Sequence, residues 1–223
     1  MASAHLKQTL VAHQIGRLKE TYRDFVTDEA TRTLGEFFFD RIYSTGDDKD
    51  KRDADFKRMY ETFKDRLGED IAGQLQKLIH VNELTDVLDD RIVETLEGYG
   101  VEAKFTNEQY ERAYRECDNY EERAEQIDLL CEAMVFFHTI AHWRSMGLAL
   151  KVIKLVARLK GARELAEYLD EGYRAFRTVK DVTKFRETVY GREFVRLNRI
   201  YGLPQEPRPM APRKGRAGTR RSR

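Results

Sequence analysis

Proline is missing from the first 203 residues of this 223-residue chain; all four prolines, Pro204, Pro207, Pro209 and Pro212, stand near the C-terminal end. Proline removes a backbone donor and breaks helices, so its absence leaves a long stretch in which helices can run uninterrupted. Cysteine is nearly absent too. Cys117 and Cys131 are the two in the chain, and the helical pattern between them would hold them about 21 Å apart, beyond the reach of a disulfide. That excludes a disulfide-stapled fold and points to a reducing compartment. No stretch approaches 18 uncharged apolar residues, so no membrane-spanning segment is expected. The first 20 residues lack the basic region and apolar core of a secretory signal, and we expect a cytoplasmic protein. A Gly-rich phosphate loop, a nucleophile elbow and paired zinc cysteines are also lacking.

What is present is charge and helical periodicity. Hydrophobic residues make up 41% of the chain and Asp, Glu, Lys and Arg 35%, a balance that fits a charge-rich helical protein. The net charge of +1 conceals a division. Beyond Pro204 stand seven Lys and Arg residues (Arg208, Arg213, Lys214, Arg216, Arg220, Arg221, Arg223) against Glu206, a net of +6, which leaves the rest at −5. We therefore divide the chain into an all-helical domain over residues 1–203 and a disordered basic Pro/Gly-rich tail over 204–223. The fold expected is all-α, a single multi-helix bundle of about seven to nine helices.

Apolar residues recur at spacings of three and four along the body. Val11, Ile15, Leu18, Tyr22 and Phe25 form one such seam, and Leu165, Leu169, Gly172, Phe176 and Val179 another. The polar run "STGDDKDKRD" reads as a break before the next helix, which Asp50 or Asp53 would cap. Thr106 and Gln109 have capping-box spacing, and Gly161 punctuates a junction. The run "GEFFFDRIYS" is unusual. At about 100° per residue its apolar arc spans roughly 240°, so this helix must be enclosed on most sides, and Phe38, Phe39 and Ile42 are expected to be buried.

That run, "FFFDRIYS", followed by "KRDADFKRM", resembles the signature of a bacterial family named after its FFLEELYG motif. "GYRAF", Gly172 to Phe176, is similar to a second run in the C-terminal half of that family. The likeness covers roughly residues 10–195, with Tyr43-Ser44 standing where the family has Tyr-Gly. The resemblance implies an all-helical fold and supplies neither an activity nor site residues.

Four features are candidates for function. His138 and His142 stand four apart on one helix, and His80 and Glu83 three apart on another, so the four could hold a metal or haem between helices. The Glu-x-x-His pattern of carboxylate-bridged di-iron bundles is missing, and His138 lies on a seam where a hydrogen-bonded core histidine fits. Glu83, Asp86, Asp90, Glu94 and Glu97 run down one face of a helix, a pattern read first as solvated. No carboxylate occurs between Glu132 and Glu164, and within that stretch residues 146–160 form a basic amphipathic helix. Its face of Leu148, Val152, Leu155, Val156 and Leu159 is expected to pack into the core, with an anionic membrane surface as the alternative. Finally, the tail cations Arg208, Arg213, Lys214, Arg216, Arg220, Arg221 and Arg223 fit weak, non-specific contact with nucleic acid or an anionic surface. The reading that results is a non-catalytic cytoplasmic helical protein that binds other macromolecules, a protein partner or a second copy included. No cofactor is expected, the metal or haem alternative apart.

Overall fold

The computed structural model describes residues 4–42, 47–66, 68–159 and 161–210, and within its helices the side chains of Asp40, Ile42, Asp47, Asp48, Asp50, Phe63 and Arg66 are outside that description. Among the described residues the chain is all helix, with no strand. In order come α1 (Ala4–Thr21), α2 (Arg23–Thr27), α3 (Arg32–Glu36), α4 (Asp47–Phe63), α5 (Glu69–Gly98), α6 (Asn107–Glu116), α7 (Tyr120–Ala141), α8 (Met146–Leu159), α9 (Arg163–Thr178) and α10 (Thr183–Ile200). A π-helical segment, Phe37–Ile42, continues α3. Since α2 and α3 are five residues each, eight longer helices build the body among the described residues.

Local chemistry sets several of the boundaries. At the start of α6 the Thr106 hydroxyl accepts from the Gln109 amide at 3.1 Å, and Gln109 Oε1 accepts from the Thr106 amide at 2.9 Å. This is the expected capping box, and it satisfies two amides that would otherwise lack partners. Gly161 turns α8 into α9 with φ of 76°, a left-handed conformation that costs glycine little. α5 opens with Glu69 and Asp70 in its first turn, where carboxylates favour the positive end of the helix dipole.

α7 is the central helix. It packs against α5 and α10, and also against α9, while α1 lies on α5 and α8 pairs with α9. The main core runs through Leu6, Leu10, Tyr22, Phe39, Ile92, Leu96, Met134, Phe176, Phe185 and Phe194, all but sealed from solvent. A smaller cluster of Ala157, Ala162, Leu165 and Ala166 lies where α8 and α9 meet α4.

The phenylalanine run is accommodated by the π-helical segment. A π turn closes with an i→i+5 hydrogen bond, so successive residues advance less round the axis than in an α-helix. Phe37 and Phe39 are buried and Phe38 is half-buried. The Phe39 ring stacks on Tyr22 at 4.8 Å, and Phe37 faces Tyr168 at 5.4 Å. Ile42, expected in the same core, has its side chain outside the described residues, as are Tyr43 and Ser44.

Three expectations change. The polar run before "ADF" is not wholly a break, because α4 already begins at Asp47. Asp53 therefore sits inside the helix and is no cap, and the side chain of Asp50 is outside the described residues. The second change concerns α8. Leu150 and Ala157 are its buried residues, whereas Leu148, Val152, Leu155 and Leu159 face outward. The helix is apolar on two opposite sides, and periodicity alone cannot say which side a neighbour takes. Third, the segment 204–210 returns to the body: Asn198 Nδ2 donates to the Glu206 carbonyl at 2.6 Å, the Arg208 guanidinium lies 5.0 Å over the Phe194 ring, and Met210 packs on the core.

Candidate functional site

Between α4, α5, α7 and α9 lies a cavity of about 140 Å³. Phe38, Phe56, Val81, Met134, Phe137 and Leu169 give it an apolar wall. Its other end is a charged network built mainly from one turn of α4. Lys49 Nζ sits 2.9 Å from Asp53 and 3.1 Å from Asp86 of α5. Arg52 Nε lies 3.2 Å from Asp53, donates from Nη1 to the Arg41 carbonyl at 3.1 Å, and covers the Tyr168 ring at 4.6 Å. Asn82 Nδ2 donates to the other Asp53 oxygen at 2.6 Å. Burial alone would pull the Lys49 ammonium below the ordinary lysine value, but Asp53 and Asp86 overrule it and raise it. The arrangement is charge-balanced, with cation and carboxylate facing each other at every step. Deeper in, Gln14 Nε2 donates to buried Asp89 at 3.0 Å. Lys49, Arg52 and Asp53 share one side of α4, but a polar run without apolar periodicity gives no sequence sign that it is helical.

The two aromatic segments, around Phe37–Phe39 and Gly172–Phe176, meet beside this cavity. Phe37 lies against Gly172 so closely that a Cβ there would stand 2.8 Å from the ring Cζ. Glycine at 172 is a packing requirement of that ring.

The candidate metal residues lie on separate helices with partners of their own. His80 Nε2 is 3.2 Å from Glu125, and Glu83 is held by Lys57 at 2.8 Å. His138 Nε2 donates to the Val179 carbonyl at 2.9 Å, and His142 Nδ1 donates to the His138 carbonyl at 2.8 Å. Their rings are tilted by 40° to one another, centroids 4.3 Å apart. Among the described residues no three His, Cys, Asp or Glu side chains gather as a metal set. The acidic stripe is divided: Glu83 meets Lys57, Asp86 meets Lys49 and Lys7, and Asp90 meets Lys7 at 2.7 Å, while Glu94 and Glu97 are exposed. Its first half is thus joined to α4 and α1. Of the tail cations, Arg208 lies on the body, near Glu121 at 3.5 Å; Arg213, Lys214, Arg216, Arg220, Arg221 and Arg223 are outside the described residues.

Among the described residues, four of the exposed large hydrophobic side chains stand on α8. Leu148 is 70% exposed, Val152 57%, Leu155 60% and Leu159 79%. Their spacing of four, three and four places all four within about 60° of one side of the helix. Exposed Lys151 and Arg158 border this ridge, and Trp143 and Arg144 stand exposed just before the helix begins. Lys154 does not join that border, since Asp170 of α9 holds it at 2.7 Å. No helix among the described residues is long and apolar enough to cross a membrane.

No curated protein and no solved structure matches the chain. A family model does match, over residues 2–207, from before α1 to within the segment that Asn198 secures, so it takes in the cavity, the α8 ridge and both aromatic segments. On that match the chain belongs to the family described as a Domain of unknown function (DUF8198).

Proposed function

We propose that this protein is a non-catalytic cytoplasmic binding protein whose contact face is the outer ridge of α8. The observation that carries the reading is the contiguous exposure of Leu148, Val152, Leu155 and Leu159. Single exposed hydrophobics are ordinary, but a contiguous row with a polar border marks an interaction surface. The cavity network supports a structural role for that site, because Lys49, Arg52, Asp53 and Asn82 satisfy one another. His138 and His142 likewise fit a structural role, each having one ring nitrogen committed to a backbone carbonyl. Kinship with the FFLEELYG-motif proteins belongs to this proposal, supported by the packing of Phe37 on Gly172. The tail cations beyond Met210 would add weak, salt-sensitive contact with polyanions.

Replacing the ridge tests whether it is a contact face or a misplaced core. Leu148→Gln, Val152→Gln, Leu155→Gln and Leu159→Gln should each change stability by less than about 0.5 kcal/mol, whereas Leu150→Ala, on the buried side, should cost about 2–5 kcal/mol. Retention of the four-fold variant on a hydrophobic column should fall. A loss above about 2 kcal/mol from any single ridge residue is core behaviour and would end the proposal.

A further inference from the structure

We infer that the α8 ridge binds an anionic lipid surface, with the helix lying in the headgroup layer. Leu148, Val152, Leu155 and Leu159 would enter the lipid, while Arg144, Lys151 and Arg158 reach phosphates. This rests on the contact-face reading and names the partner.

The geometry is that of an interfacial helix. α8 has 14 residues, about 21 Å of length, too short to span a bilayer and suited to lying along one. Its inner side, Leu150 and Ala157, is occupied by the rest of the protein, so the fold presents the ridge outward as a rigid edge. An amphipathic helix binds the interface by burying apolar side chains to about 5–10 Å while its cations meet anionic headgroups.

Charge separates this partner from others. From Ala133 to Arg163 the chain has no carboxylate, so the segment bearing the ridge carries no charge that an anionic surface would repel. The acids of α9 are all engaged: Glu164 by Lys51 at 3.8 Å, Glu167 by Arg163 at 2.7 Å, Asp170 by Lys154 at 2.7 Å and Arg174 at 2.8 Å, and Glu171 by Arg41 at 2.6 Å. A second copy fits less well. A stable dimer takes about 800 Å² from each partner, more than four side chains of one short helix supply.

The test uses the full chain with phosphatidylcholine vesicles, with and without phosphatidylserine. We expect flotation with the anionic vesicles only, weakened at least ten-fold by Leu155→Gln/Leu159→Gln. Lys151→Glu/Arg158→Glu, which spares the apolar ridge, should weaken it to a similar degree. Trp143, the single tryptophan, should shift its emission to the blue when anionic vesicles are added. A chain ending at Met210 should still float. Flotation that follows the tail and ignores the α8 substitutions would overturn the inference, assigning lipid contact to the tail cations. Absence of flotation would overturn it as well. If ridge-dependent dimerisation or capture of a protein accompanied that absence, the contact-face reading would stand with a different partner. Core-like destabilisation by the ridge substitutions would remove both.

Discussion

Two glycines inside helices should respond in opposite ways to the same substitution. Outside its own helix backbone and chain neighbours, Gly191 of α10 has no atom within 4 Å of where a Cβ would stand. Gly191→Ala should therefore gain the helix preference of alanine, about 0.5–1 kcal/mol. Gly172 of α9 has the same backbone advantage to gain, but its Cβ would lie 2.8 Å from Phe37 Cζ and 3.3 Å from Cε1. The ring has little room to retreat, being enclosed by Tyr168 at 5.4 Å and Phe176 at 6.4 Å. Overpacking a core typically costs about 1–3 kcal/mol. Subtracting the preference leaves Gly172→Ala destabilised by up to about 2 kcal/mol, and the gap between the two variants measures the clash directly. Urea unfolding of both proteins reads that gap, provided the slopes agree. A Phe37→Leu background should shrink it, because the shorter side chain withdraws the colliding atom. If Gly172→Ala stabilises as much as Gly191→Ala, Phe37 does not pack where we place it, and the link between the two aromatic segments falls.

Further outcomes follow from the same packing. Phe39→Ala should cost about 3–5 kcal/mol, since Phe39 is fully buried and stacked on Tyr22; a loss under about 1 kcal/mol in chemical denaturation would contradict its position. Glu193→Gln should cost about 1–3 kcal/mol at pH 7, because Arg17, 2.5 Å away, would lose its counter-charge; both side chains keep some contact with water, so the loss falls short of that of a fully buried ion-pair partner. Burial pushes the Glu193 carboxyl up, but Arg17 and the Tyr22 hydroxyl outweigh it and hold it below the ordinary glutamate value. Its contribution is thus complete above that ordinary value and lost as pH falls through the lowered one. The gap between wild type and Glu193→Gln should accordingly close in acid; a gap constant from pH 7 to pH 3 would disprove the assignment. Ending the chain at Leu203 should lower the melting temperature by removing the Glu206 carbonyl, Arg208 and Met210 from the body, while ending it at Met210 keeps those contacts. Equal melting of the two shortened chains would show that the 204–210 segment contributes nothing.

Much of the helical layout was legible because the signals were local. Spacings of three and four, the lack of proline before Pro204 and the Thr106–Gln109 pair each act within a turn or two, where sequence and structure are most tightly coupled. The misses share a different cause. α4 begins in a run of Asp, Lys and Arg with no apolar period to reveal it, and its charges find meaning only against Asp86 and Asn82, about 30 residues onward or more. The α8 pattern showed two apolar sides; which one is covered depends on where α9 lies. The π-helical turn at Phe37 is likewise invisible in the periods, because its advance per residue differs from that of the α-helix.

α1 and α10, the first and last helices among the described residues, are fastened to one another. Arg17 and Tyr22 both hold Glu193, and Arg192 grips Asp24 with two bonds of 2.8 Å. Chain ends ordinarily fray, opening many times for each global unfolding. Here, peeling α1 away would strip a largely buried arginine from its carboxylate and expose Tyr22, so neither end can open at the cost of its own contacts alone. Backbone amides of α10 around Glu193 should then exchange with solvent only as fast as the whole protein unfolds, and so should those of α1 around Arg17. The chain behaves in this respect as though closed into a ring.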